Sequence, residues 1–338
     1  MAALVLGGAA AKGAFEAGVV AELLASGVKI RRIVASSAGA LSGLFLASRL
    51  RAGSAERAGD ELVALWRDHA KMSDFFSPSA GSILHLRGLS SMARVGAMLE
   101  EFVRPCRVPL DARKEVDLTM VVTSLRGELC AIAEGEPAAV THEKVFSFQS
   151  GAFDSEDSVA RMRQVALASA TIPGLFSPTE LPEVGPCYDG GLSNNAPIRY
   201  ALEGGSAVDT VYVVVAHPAG PLTEDDSEPL HGVALASRLV ELLINERFYR
   251  DLREASQRNA SVLALENLVT AGQLSAGGLA SVRRALGWED VRPIRVVTIR
   301  PQATLQGDAL AGFLDADLRA AYIEEGRRTA SKCLEAAS

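Results

Sequence analysis

The chain has 338 residues, 48% hydrophobic and 22% charged, with a formal net charge of −7; it can bury a sizeable core and reads as one large domain, 218–290 being a largely helical insertion or C-terminal portion. Nucleic-acid affinity rests on neutralising phosphates, so an acidic chain without a basic run argues against a DNA or RNA partner. Cys106, Cys130, Cys187 and Cys333 form no CxxC pair and no zinc spacing with the histidines, so a reducing compartment, no metal and no cofactor are expected.

Met1 to Ala25 is apolar, yet its first positive charge, Lys12, lies in the middle and Glu16 follows. A signal peptide places its positive charge before an unbroken apolar stretch. No segment reaches about 18 uninterrupted apolar residues, so a membrane span is not expected and the chain reads as cytoplasmic. Ala2 to Leu6 is a short apolar run that stops at Gly7–Gly8, which fits a strand buried on both faces. Phe15, Val19, Leu23 and Leu24 follow at helical spacing, then Arg32 to Ala35 reads as a second buried strand and Leu41 to Leu50 as a second helix. Strand, tight turn and helix, twice over, predict an α/β fold with a parallel sheet.

Further strands are predicted over 116–123, 129–133, 211–216 and 295–299, and helices over 55–70, 93–103, 159–170, 235–256 and 314–335. Leu235, Leu239, Leu242, Leu243 and Leu252 form a core-facing stripe. Residues 73–90 mix turn formers with apolar side chains and read as a loop over a lipid-touching site or as packing under helices. Residues 218–229 read as a polar, proline-containing loop. The pairs Arg31–Arg32 and Arg283–Arg284 read as solvated surface.

Three local patterns bear on chemistry. Ala35-Ser36-Ser37-Ala38-Gly39 lies between a buried strand and a helix. A serine on such a turn is exposed at the sheet edge, facing the positive end of the next helix; small residues also occupy such turns for packing alone. Gly7-Gly8-Ala9-Ala10-Ala11-Lys12-Gly13 is a second strand-to-helix loop. Its Lys-Gly order fails the P-loop pattern, and no carboxylate closes the next strand as a dinucleotide site requires. An oxyanion hole of backbone N–H groups is the remaining reading, favoured because the next strand delivers a serine to the same edge. The third pattern is Tyr188-Asp189-Gly190-Gly191, after an apparent turn at Gly185–Pro186. In isolation it is as well explained as a turn.

Taken in order, these patterns make the chain resemble the patatin-like phospholipase family over most of its length. The family carries a glycine-rich loop ending in Arg/Lys-Gly, a GxSxG serine and an Asp-Gly-Gly/Ala motif, matched by Gly7 to Gly13, Ser37 with Gly39, and Asp189 with Gly190 and Gly191. Ala168-Ser169-Ala170-Thr171-Ile172-Pro173 is similar to the segment that leads toward the aspartate, and Asn194, Asn195 and Pro197 to the usual continuation after it. The resemblance implies a three-layer α/β/α fold around a mostly parallel sheet. It implies a Ser37–Asp189 dyad, an acyl-enzyme, and an oxyanion hole from the N–H groups of Gly8, Ala9, Ala10, Ala11 and Lys12. The substrate would be a carboxylic ester of a lipid, a phospholipid or an acylglycerol, met by transient contact with membrane surfaces. No cofactor and no metal would be used.

The chain departs from the family pattern at two places. Ala9 and Ala10 carry a Cβ where the family loop has more glycine, which disfavours positive φ, and Ala35 replaces the first glycine of GxSxG. A catalytically weak or inactive lipid-binding relative is the competing reading. His217, at the end of the 211–216 strand, completes a Ser…Asp…His chain order, so a triad is the other alternative for the dyad.

Overall fold

The computed structural model describes residues 1–75, 90–130, 139–202, 208–218, 233–288 and 293–336, with backbone alone over 233–248. Residues 219–229 of the 218–229 loop, most of the 73–90 segment, His85, His231 and the side chains of Leu235, Leu239, Leu242 and Leu243 therefore lie outside the described residues.

Among the described residues the strands are β1 (Ala2–Leu6), β2 (Ile30–Ser36), β3 (Asp117–Cys130), β4 (Ala139–Phe148), β5 (Thr179–Leu181), β6 (Gly185–Tyr188), β7 (Thr210–Val214) and β8 (Arg295–Ile299). They form one sheet in the order β5-β6-β3-β2-β1-β7-β8, with β4 also on β3. The strands from β3 to β8 along this order are parallel to one another. The β4, β5 and β6 pairings are antiparallel, so the sheet is mostly parallel with an antiparallel wing.

Every residue of β1 is buried, because both faces of the sheet are covered. Leu4 and Leu6 point into the larger core with Phe15, Leu44 and Tyr322, whereas Ala3 and Val5 join Val34, Ile198, Val213 and Ala255 on the opposite face. This alternation is why the strand reads as an unbroken apolar run. On the larger core lie α1 (Gly13–Ala25), α2 (Ala38–Arg51), α3 (Ala55–His69), α4 (Met72–Phe75), α5 (Ala93–Phe102) and α6 (Glu156–Ser169). Two short helices, α7 (Gly191–Asn194) and α8 (Ile198–Leu202), precede the long α9 (Val233–Thr270), α10 (Ala276–Ala285), α11 (Ala311–Leu314) and α12 (Ala316–Glu335). α8 and α9 supply Ile198, Ala201 and Ala255 to the second face, and α12 returns to the first. The result is the three-layer α/β/α arrangement that the family resemblance implies.

Two expectations change. The strands predicted at 116–123 and 129–133 are one strand, β3, as far as Cys130, residues 131–133 lying outside the described residues; its register shifts between Thr123 and Glu128 around Gly127 at φ 68°. Gly185–Pro186, read as a turn, is the start of β6.

Candidate active site

The sheet topology brings Ser37 and Asp189 together. β2 runs parallel to β3 and ends with Ser36 opposite Val121. β6 runs antiparallel to β3 and ends with Tyr188 opposite Thr123. Because β4 holds the other edge of β3 at Thr123, β6 occupies the edge that β2 vacates. The two strands thus meet C-terminus to C-terminus on one edge of a third, and the next residue of each is a candidate site residue.

Across that gap the Ser37 hydroxyl donates to Asp189 Oδ2 at 2.6 Å. Both residues are buried, 6% and 7% exposed. Ser37 is the N-cap of α2, with φ 57° and ψ −132°, a conformation that costs a non-glycine residue about 1–3 kcal/mol and needs its surroundings to hold it. Those surroundings are visible: its N–H donates to Ser169 Oγ at 2.9 Å, and Ser169 donates in turn to the Val121 carbonyl at 2.6 Å. Ala35 is an ordinary residue of β2, paired with Leu6 and Met120, so a Cβ is accommodated where GxSxG has its first glycine. The Gly39 N–H donates to the Gly7 carbonyl at 3.2 Å, which ties the two strand-to-helix turns together.

The Asp189 backbone is held at both ends, its N–H by the Thr171 carbonyl at 2.8 Å and its carbonyl by the Thr123 hydroxyl at 2.7 Å. Its Oδ1 accepts the Gly191 N–H at 2.7 Å. Burial pushes the carboxyl pKa up to about 6, against the Ser37 and Gly191 hydrogen bonds, which favour the charged form.

The glycine-rich loop lies beside them, and its amides are unequally engaged. The Gly7 N–H donates to Glu16 Oε1 at 3.1 Å, a buried carboxyl whose pKa burial holds well above the usual range. The Gly8 N–H donates to Asn195 Oδ1 at 2.7 Å, the Ala11 N–H to the Ala309 carbonyl and the Lys12 N–H to the Ala9 carbonyl, both at 2.9 Å. Among the described residues the N–H groups of Ala9 and Ala10 have no acceptor. Of these two alanines only Ala10 takes positive φ, 45°; Ala9 is at −142°. At Gly8 no other residue fits, since a Cβ there would lie 2.2 Å from Asn195 Oδ1 and 2.5 Å from Ser37 Cβ.

Next to Ser37 opens a cavity of about 260 Å³ whose walls include Leu41, Trp66, Phe75, Phe176, Leu310 and Phe313. Trp66 is fixed by its indole N–H, which donates to Ser42 Oγ at 2.9 Å. Such a cavity takes an apolar chain and rejects a charged group, which it could not solvate. His217 lies past the end of β7, at the same sheet edge, whereas the Ser37 hydroxyl and the Asp189 carboxylate bond to each other and to the Gly191 N–H. Among the described residues no group of three or more His, Cys, Asp and Glu side chains could hold a metal ion.

Ser37, Asp189 and the loop were legible as motifs on turns. The cavity wall was not, because Trp66, Phe75 and Phe313 carry no local signature and come together only through packing. Nor was the attachment of Asn195 to Gly8: the sequence marked Asn195 as part of the family-like continuation after the aspartate, but gave no sign of its partner.

The patatin-like phospholipase family model matches residues 4–202. A comparison with curated proteins gives no match. Among solved structures, the crystal structure of VipD from Legionella pneumophila overlays on 99% of this chain with a TM-score of 0.41 and 14% identity, and the chain spans 66% of that structure's length. So loose an overlay carries no argument.

Proposed function

Because the chain belongs to the patatin-like phospholipase family, we propose that it is a serine hydrolase of lipid carboxylic esters working through Ser37 and Asp189. The hydrogen bond of 2.6 Å between them, with Ser37 lining an apolar cavity, is the observation that carries this reading. Asp189 takes the Ser37 proton as Oγ attacks the ester carbonyl carbon. The carbonyl oxygen becomes an oxyanion, held by the N–H groups of Ala9 and Ala10, the loop donors with no other acceptor; one such donor is commonly worth about 2.7–4 kcal/mol. Collapse of the tetrahedral intermediate breaks the ester C–O bond, and the leaving alcohol takes the proton from Asp189. Water then attacks the acyl-enzyme, giving its proton to Asp189, and the fatty acid leaves as Ser37 recovers that proton. The cavity holds the acyl chain throughout. The substrate class brings the protein to membrane surfaces; among the described residues no helix is long and apolar enough to cross a membrane.

A lipid-like fluorophosphonate tests this. Wild type is expected to be labelled and Ser37→Ala not, with phospholipid or acylglycerol turnover lost in parallel and unchanged by a chelator. An inert lipid-binding relative would take up fatty acid without labelling. His217→Ala is expected to keep activity within a few-fold; a loss of about 10³ or more would replace the dyad by a triad.

A further inference from the structure

Gly8 is gripped at both of its polar atoms by one side chain. Asn195 Oδ1 accepts the Gly8 N–H at 2.7 Å, and Asn195 Nδ2 donates to the Gly8 carbonyl at 3.0 Å. Accepting from the N–H and donating to the C=O of the same residue is what a neighbouring antiparallel strand does, so the carboxamide fixes orientation as well as position. It is buried, 7% exposed, and sits at the far end of the short segment that begins with Asp189 and runs through α7. One segment therefore holds the proton acceptor at its start and the glycine-rich loop at its end.

The grip decides which loop amides are free. With its N–H bonded to Asn195, Gly8 is not a donor to substrate, although it lies so near Ser37 that a Cβ on it would be 2.9 Å from the Ser37 hydroxyl oxygen. The chain then passes through Ala9 at φ −142° and Ala10 at φ 45°, whose N–H groups have no acceptor among the described residues. A positive φ on alanine is disfavoured, so the loop needs an external hold to keep it. We infer that Asn195 is the positioning residue of the oxyanion hole: its two hydrogen bonds to Gly8 set the loop so that Ala9 and Ala10, rather than Gly8, present their N–H groups to the tetrahedral intermediate. This rests on the acyl-hydrolase reading above.

The full-length chain carrying Asn195→Ala or Asn195→Asp tests the inference against wild type and Ser37→Ala. Aspartate keeps the side-chain shape but has no N–H for the Gly8 carbonyl at neutral pH, and it carries the test should the alanine variant fail to fold. Misplacement by about 1 Å is enough to lose about 10²-fold in rate. Asn195→Ala is therefore expected to lose kcat about 10²-fold with KM within about twofold, and Asn195→Asp at least about tenfold. Fluorophosphonate labelling, which also builds negative oxygen at the site, should slow by a similar factor. A folded variant that keeps kcat within about threefold overturns the inference, as does a loss of kcat matched by an equal rise in KM, which marks a substrate contact. Failure of the underlying reading shows elsewhere, as turnover that survives Ser37→Ala or as wild type that neither turns over nor labels, and it takes this inference with it.

Discussion

At the scale of single residues, Asp189 is at once the group that the proposed chemistry needs charged and the group that the fold would rather keep neutral. Its folded pKa, about 6 against an ordinary 3.8, is set first by burial. Between those two values the native state holds a proton that the unfolded state has released, so stability falls as pH rises across that window, by about 3 kcal/mol at 1.36 kcal/mol per unit. Above pH 6 the penalty is complete and constant. Activity runs the other way: kcat/KM is expected to rise with an apparent pKa near 6 as Asp189 ionises. Asp189→Asn retains an acceptor for Gly191 and removes the buried charge. It should abolish turnover yet melt at a higher temperature than wild type at pH 7–8, the difference closing below about pH 4. Thermal melts across this range check the sign; a variant less stable than wild type at pH 8 would contradict it.

At the scale of elements, the packing of α1 on α12 is set by two glycines facing each other's backbone. A Cβ on Gly18 would lie 2.0 Å from the Ile323 carbonyl oxygen, and one on Gly326 would lie 2.2 Å from that of Phe15. On an isolated helix Gly→Ala gains up to about 1 kcal/mol. In this contact overpacking wins, and Gly326→Ala is expected to destabilise by about 1–3 kcal/mol in urea denaturation; a gain in stability would refute the close approach. The same scale explains what the sequence could and could not convey. β1, α1, β2 and α2 were legible because a run buried on both faces and a helical spacing are local signals. β5 and β6 have three and four residues, too few for a period to show, and β6 contains Pro186, which reads as a turn. β4 has no fully buried residue, so no apolar run marks it. The site followed suit: motif residues on turns were readable, whereas Asn195, Ser169 and Trp66 act through contacts that only the tertiary fold creates.

At the scale of the whole molecule, the family match ends at residue 202, but the fold does not. β7 pairs with β1 along its full length, β8 extends the sheet beyond it, and α12 covers α1. A fragment of residues 1–202 contains Ser37, Asp189 and Asn195, yet it bares one edge of the most buried strand and one face of the helix that follows the glycine-rich loop. It is expected to give no cooperative thermal transition and no fluorophosphonate labelling; a folded, labelled fragment would show that the remaining strands and helices are dispensable.

The meeting of β2 and β6 on one edge of β3 also has a consequence in time. The serine is synthesised 152 residues before its aspartate, a gap of roughly 8–30 s at ribosomal speed. Throughout that interval the nascent chain carries an alcohol with no proton acceptor, and no local folding event can supply one. On the proposed mechanism, reactivity begins only when the late strand docks, so an unfinished chain would be harmless to any membrane beside which it is made.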